Sequence, residues 1–275
     1  MTIDRSKLKT ALVAERKLYL QRNPKSLELF NSATNLFGQV PMTWMNKWSG
    51  GFPIYLDRAK GNRITSVDGH TYIDFALGDT AAMAGHSPDE VSEAINNRYT
   101  KLGGATTMLP TADGQWVAQE LAQRFKVPLW SFCLSATDAN RWALRLARMV
   151  TGKSKVLAFS YGYHGTVDET FVITGENGET KLRPGNVGAP GNISETTRVA
   201  EFNDLASVEK ALTNGDVAVI ITEPALTNIG IVLPEQGFLE GLRELATKYE
   251  ALLLIDETHT FSASYGGMTT ANNIN

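Results

Sequence analysis

From residue 131 to residue 256 the chain alternates short, mostly apolar runs with amphipathic stretches, and this alternation restricts its fold more than any other feature. The apolar runs are Ser131–Leu134, Val156–Ser160, Val217–Thr222 and Leu252–Asp256; the helical patterns between them are Thr137–Val150, Leu205–Thr213 and Gly237–Glu250. Strands that are apolar along their whole length are buried on both faces. The pattern therefore predicts an α/β fold, a mainly parallel central sheet flanked by helices. Ligands of such sheets bind just beyond the carboxyl ends of the strands. Chemistry is therefore to be sought in the residues that follow each run.

Upstream the signals are different. Residues 5 to 31 read as a surface helix of mixed polarity. Residues 37 to 53 combine turn formers with Trp44, Met45 and Trp48, which suits either a loop pinned to the core or a wall of a ligand pocket. Ile54-Tyr55-Leu56, Arg63-Ile64-Thr65 and Thr71-Tyr72-Ile73, with an Asp68-Gly69 turn, predict a three-stranded β-meander. Pro88 to Leu102 and Gly114 to Lys126 read as amphipathic helices. The expected division is an N-terminal helix, loop and meander over 1–75, followed by a large α/β domain over 76–275.

Composition excludes several classes. A net charge of −3, with Lys and Arg scattered, gives no field for nucleic acid. No stretch approaches the ~18 apolar residues of a membrane span. The first 22 residues lack the apolar core of a secretory signal, so the cytoplasm is expected. A single cysteine, Cys133, rules out an internal disulfide; lying in an apolar run, it is expected to be a buried thiol. His70, His86, His164 and His259 have no zinc-like spacing with Cys133, so no metal is expected.

Four places follow the predicted strands. Ser135-Ala136-Thr137 opens a helix, where free backbone N–H groups and hydroxyls suit a phosphate, or where Ser135 or Thr137 simply caps the helix. Tyr163-His164-Gly165 sets an aromatic ring beside a glycine, and a flat ligand could stack there. Glu223 ends an apolar strand before Pro224, with Asn228 in the loop beyond. Asp256 closes the run Ala251-Leu252-Leu253-Leu254-Ile255, where a carboxylate needs a cationic partner, either a protonated ring nitrogen or a nearby Arg. A phosphate cradle, a ring stack and a carboxylate for a ring nitrogen are together what pyridoxal 5'-phosphate requires.

The order of these motifs resembles the class III, fold-type I pyridoxal-phosphate aminotransferases, nearest to their glutamate-1-semialdehyde aminomutase-like branch. The likeness extends over residues 37 to 275 and includes Gly61 to Phe75 and Ala84-Gly85-His86-Ser87-Pro88. It implies that Ser135, Ala136 and Thr137 hold the phosphate, Ala136 replacing the family's glycine. It implies that Tyr163 stacks on the ring with His164 beside it, and that Glu223 and Asn228 lie near cofactor and substrate. Asp256 would pair with the pyridinium, making Glu223 and Asp256 the catalytic carboxylates. Where the family has valine two residues after the aspartate, this chain has Thr258 and then His259, for which packing roles are expected.

The family's Schiff-base lysine lies a few dozen residues beyond the aspartate, and no lysine follows Asp256 here. The expectation is an interrupted chain whose large domain lacks its C-terminal part. The implied reaction is transfer of an amino group between an amine or amino acid and a keto acid or aldehyde, in a homodimer. The alternatives are an aminomutase, which moves the group within one substrate, and a non-catalytic protein on the same fold. A nicotinamide-dependent oxidoreductase is disfavoured, because no Gly-x-Gly-x-x-Gly turn is present.

Overall fold

The computed structural model describes residues 4–188 and 191–274. The chain forms two compact units, Met1–Met108 and Leu109–Asn275. Residues 76 to 108, expected with the large domain, thus group with the meander.

In the first unit the expected single helix is two, α1 (Arg5–Arg22) and α2 (Pro24–Ser32). Pro24 has no N–H to continue α1 and takes the first position of α2, where none is needed. The meander forms as β1 (Leu56–Lys60), β2 (Arg63–Ser66) and β3 (Thr71–Ile73), all antiparallel. The first strand begins where the expected one ends. Its position is set by the two-residue turn Gly61-Asn62, with Gly61 at φ +58° and Lys60 facing Arg63. Asp68, in the following turn, takes the Lys25 and Ser26 N–H groups and so caps α2. Helix α3 (Asp89–Asn97) runs on into a π-helical turn at Arg98–Leu102.

The second unit opens with α4 (Ala112–Phe125) and α5 (Ala136–Thr151). It continues with β4 (Lys155–Phe159), a hairpin of β5 (Val172–Thr174) and β6 (Thr180–Leu182), then β7 (Thr197–Ala200) and α6 (Leu205–Leu212). It closes with β8 (Val217–Thr222), α7 (Phe238–Lys248), β9 (Leu252–Ile255) and the short α8 (Gly267–Ala271). The main sheet has the order β7-β4-β8-β9, and every pairing is parallel. Leu157 and Phe159 of β4 pack with Val208 and Leu212 of α6 and Leu239 and Leu242 of α7. Val156 and Ala158, pointing the other way, pack with Leu144 and Ala147 of α5. The sheet is thus covered on both faces, as its apolar strands require.

Two expectations fail together. Ser131–Leu134 is not a strand, and Cys133 is exposed rather than buried. A short apolar run is held in a sheet only by ladder bonds to a neighbour. Residues 131–134 pair with no strand among the described residues, and Leu134 is left fully exposed. The hairpin and β7 were not expected. Their three- and four-residue runs carry polar side chains, and β7 is buried only through its pairing with β4.

Candidate active site

Strands β4, β8 and β9 run parallel, so the residues after their carboxyl ends gather along one edge of the sheet. Those residues are Tyr163 and His164, Glu223, and Asp256. The start of α5 joins them: Thr137 Oγ1 accepts the Thr166 N–H at 3.2 Å. Gly165, at φ +79°, lies so close that an added Cβ would sit 2.1 Å from Thr137 Oγ1 and 3.0 Å from its Cα. Only glycine allows this approach.

Ser135 caps α5, its Oγ accepting the Asp138 N–H at 3.2 Å. The capping reading and the anion reading are therefore compatible. Ser135 satisfies the third N–H of the helix, and those of Ala136 and Thr137 point out of the first turn, where the helix dipole favours an anion. Tyr163 is about 41% exposed, with Phe171 edge-on to its ring. A face of the ring is thus available to a flat ligand.

Asp256 is buried, and each of its oxygens accepts two hydrogen bonds. Oδ2 accepts Asn140 Nδ2 at 2.9 Å and His164 Nδ1 at 2.8 Å; Oδ1 accepts the Thr258 N–H at 3.0 Å and its Oγ1 at 2.6 Å. His164 Nδ1 is the donor here, because an ionised carboxylate only accepts. Burial pushes the Asp256 carboxyl up. The hydrogen bond and charge of His164, with the two bonds from Thr258, pull it further down, to well below the ordinary carboxylate range. The partner left open by the sequence is not an arginine: among the described residues, the basic side chain that meets Asp256 is the His164 imidazole.

Glu223, also buried, accepts the Tyr163 N–H on Oε1 at 3.0 Å. Its Oε2 accepts the N–H and Oγ1 of Thr227 at 3.1 and 2.8 Å. Thr227 Oγ1 lies 2.5 Å from His259 Nδ1. With the Thr227 hydroxyl donating to the carboxylate, His259 Nδ1–H donates to Thr227 Oγ1. Asn228 is exposed beyond Glu223 and is not drawn into these bonds.

Thr258 and His259 are therefore not packing residues, as the sequence reading expected. Both are hydrogen-bonded to the site carboxylates, directly or through one hydroxyl. Asn140 was missed as well, though a signal existed. It heads the buried stripe Asn140, Leu144, Ala147 of α5, where an amide needs a dedicated partner. Glu257 has a different task. Its carboxylate accepts the N–H groups of Met268 and Thr269 and the Thr260 hydroxyl, each at 2.8 Å, which ties α8 down. Glu257→Ala should speed proteolysis between residues 257 and 271 at least tenfold, since the lost bonds to these half-buried donors are together worth about 1.5 kcal/mol or more. Limited digestion of the variant beside wild type checks this.

These residues fit pyridoxal phosphate. A buried carboxylate with no Lys or Arg partner among the described residues suits a pyridinium, and an exposed tyrosine ring lies two residues before Gly165, which abuts a helix start that suits a phosphate. Fold and site together define a fold-type I pyridoxal-phosphate enzyme. The profile of the aminotransferase class-III family matches residues 44–271, and the chain belongs to that family. It is 37% identical to the glutamate-1-semialdehyde 2,1-aminomutase of Saccharolobus islandicus over 88% of this chain and 57% of that protein. The crystal structure of a glutamate-1-semialdehyde aminomutase from Pseudomonas aeruginosa superposes with a TM-score of 0.95 at 41% identity, covering 100% of this chain and 60% of that one. The same enzyme has been crystallised as a lysine-to-alanine variant in complex with PMP, the amino form of the cofactor. An omega-transaminase from Sphaerobacter thermophilus is similar at a TM-score of 0.82 and 28% identity, over 90% of this chain and 58% of its own. The chain thus spans well under two thirds of the length of these relatives. Among the described residues no helix is long and apolar enough to cross a membrane.

Proposed function

We propose that this chain is the cofactor-holding part of a pyridoxal-phosphate enzyme of the aminomutase branch, which moves an amino group between adjacent carbons of one substrate. The observation that carries the cofactor assignment is Asp256, a buried carboxylate held by four hydrogen bonds at the end of β9. The aminomutase reading rests on the 41% identity to the Pseudomonas aeruginosa enzyme over the whole chain. A transaminase is the second reading, favoured by the likeness to the omega-transaminase.

When bound, the cofactor withdraws electrons from the substrate carbon that loses a proton. The chain's own residues would act around it. The Ala136 and Thr137 N–H groups bind the phosphate, with Ser135 and Thr137 shaping the turn. Tyr163 covers the ring. Asp256 keeps the ring nitrogen protonated, held in place by Asn140, His164 and Thr258. Glu223 orients the Tyr163 backbone, and Asn228 lies at the substrate side. The substrate would be a small amino aldehyde on the aminomutase reading, and a small amine or amino acid with a keto acid or aldehyde on the transaminase reading. A cytoplasmic homodimer completes the reading: α5 turns Trp142, Leu146 and Met149 to solvent, an apolar face that a second copy would cover.

The test takes the product of the gene, loads it with pyridoxal phosphate and supplies an amino aldehyde with its two groups on adjacent carbons. Turnover without any keto acid supports the aminomutase. Strict dependence on an added keto acid assigns the transaminase instead.

A further inference from the structure

The ionisable groups at the strand ends of the site are mostly acidic. Glu223 accepts three hydrogen bonds there and Asp256 four. Such carboxylates repel an anionic group on a substrate, which would need a cation close by. The β5–β6 hairpin supplies one. Arg183 follows β6 and donates its N–H to Phe171 O at 2.9 Å, so the two residues face each other across the hairpin. Both side chains meet the turn after β4. The Phe171 ring is edge-on to Tyr163, and the Arg183 guanidinium carbon lies 5.6 Å from the centre of the Tyr161 ring. Arg183 Nη1 also donates to Gly162 O, at a long 3.4 Å. Among the described residues that is the one hydrogen bond made by its five guanidinium N–H groups, and no carboxylate pairs with it. The residue is half-buried, so water solvates the charge only in part. Contact with the Tyr161 ring holds the guanidinium in place without neutralising it, which leaves a charged fork ready for a carboxylate.

We propose that Arg183 is a specificity-determining residue of this site, binding a carboxylate of the substrate beside the ring that Tyr163 covers. The inference rests on the pyridoxal-phosphate reading above and holds for a mutase and a transaminase alike. The plain structural alternative is that Arg183 only ties the hairpin to Tyr161 and Gly162. Its loss would then weaken every ligand of the site equally.

The experiment measures the affinity of the 275-residue chain for two series of secondary amines. They are made by reducing the Schiff bases of pyridoxal phosphate with ω-amino acids of two to five carbons, and with alkylamines of matching length. Each adduct carries cofactor and substrate in one molecule and needs no lysine bond. Wild type, Arg183→Gln and Arg183→Lys are compared, with pyridoxamine phosphate as the reference and circular dichroism confirming the fold. In wild type the best amino-acid adduct should bind about tenfold tighter than its alkylamine counterpart, the worth of one charge-assisted hydrogen bond. Arg183→Gln should abolish that preference and leave the alkylamine adducts and pyridoxamine phosphate bound as in wild type. Arg183→Lys keeps the charge but not the fork, and should keep part of the preference. Equal losses for both series in Arg183→Gln overturn the proposal in favour of the structural role. A preference that survives in Arg183→Gln overturns it too, because another group then holds the carboxylate. Absence of any preference in wild type overturns it while pyridoxamine phosphate binding keeps the cofactor reading standing. Failure of wild type to bind pyridoxamine phosphate sinks the cofactor reading and this inference with it.

Discussion

Asp256→Asn is expected to slow the cofactor-loaded enzyme about 10²–10³-fold, while its circular dichroism stays that of wild type. The side chain keeps its shape, and the donors from Asn140, His164 and Thr258 still find an oxygen on at least one side. What disappears is the negative charge. Breaking a buried charge pair costs about 3–5 kcal/mol, and each 1.36 kcal/mol is a factor of ten in rate. Steady-state kinetics at saturating cofactor measure the loss, and near-normal turnover would remove Asp256 from the mechanism. The same variant reports on stability. The folded Asp256 carboxyl is depressed below its ordinary value of 3.8, so its contribution is present above that value and is lost as pH falls below it. Unfolding free energies of wild type and variant should therefore differ at neutral pH and converge below about pH 4. A difference that stays constant across that range would mean the hydrogen bonds do not favour the charged form.

Gly165→Ala should be the most damaging single-methyl change in the site. Two costs add. The backbone at φ +79° is disfavoured for any residue with a Cβ, by about 1–3 kcal/mol. The new methyl would also meet Thr137 Oγ1 at 2.1 Å, and overpacking of that kind costs about 1–3 kcal/mol more. A loss of roughly 2–6 kcal/mol in urea-induced unfolding is the expected outcome. Affinity for pyridoxamine phosphate should fall with it, because the start of α5 must move away from the turn. Adding Thr137→Ala should restore only part of the stability. It removes the hydroxyl, but the Thr137 Cα at 3.0 Å remains, as does the backbone strain. Full recovery would show that the side-chain clash alone sets the cost.

How much of this was legible depended on whether a residue's environment is local. The four helices α4 to α7 and the strands β4, β8 and β9 were readable, because an apolar run or an amphipathic period states which face is buried. The residues of the site were readable for a related reason. Tyr163, Glu223 and Asp256 each follow a strand of the parallel sheet, and that position alone brings them to one edge; Ser135 follows a run that is not a strand, and the start of α5 joins them through Thr137 instead. The helix break at Asn23-Pro24 was marked by the proline itself, although mixed polarity across 5–31 obscured it.

Other features had no local sign. Residues 131–134 read as a strand by composition, yet a strand exists only where a neighbour supplies its ladder bonds, and none does so among the described residues. Cys133 follows them into solvent for the same reason. The hydrogen bonds that join Asn140 to Asp256, 116 positions apart, or Thr227 to His259, 32 apart, have no expression in spacing at all. By itself, then, the sequence determined the layered α/β fold and the carboxylates at its strand ends, because periodicity and burial are properties of short segments. Only the tertiary structure decided which distant donors reach Asp256, those of Asn140 and His164, because such a bond depends on where the chain returns and not on what lies beside it in the sequence.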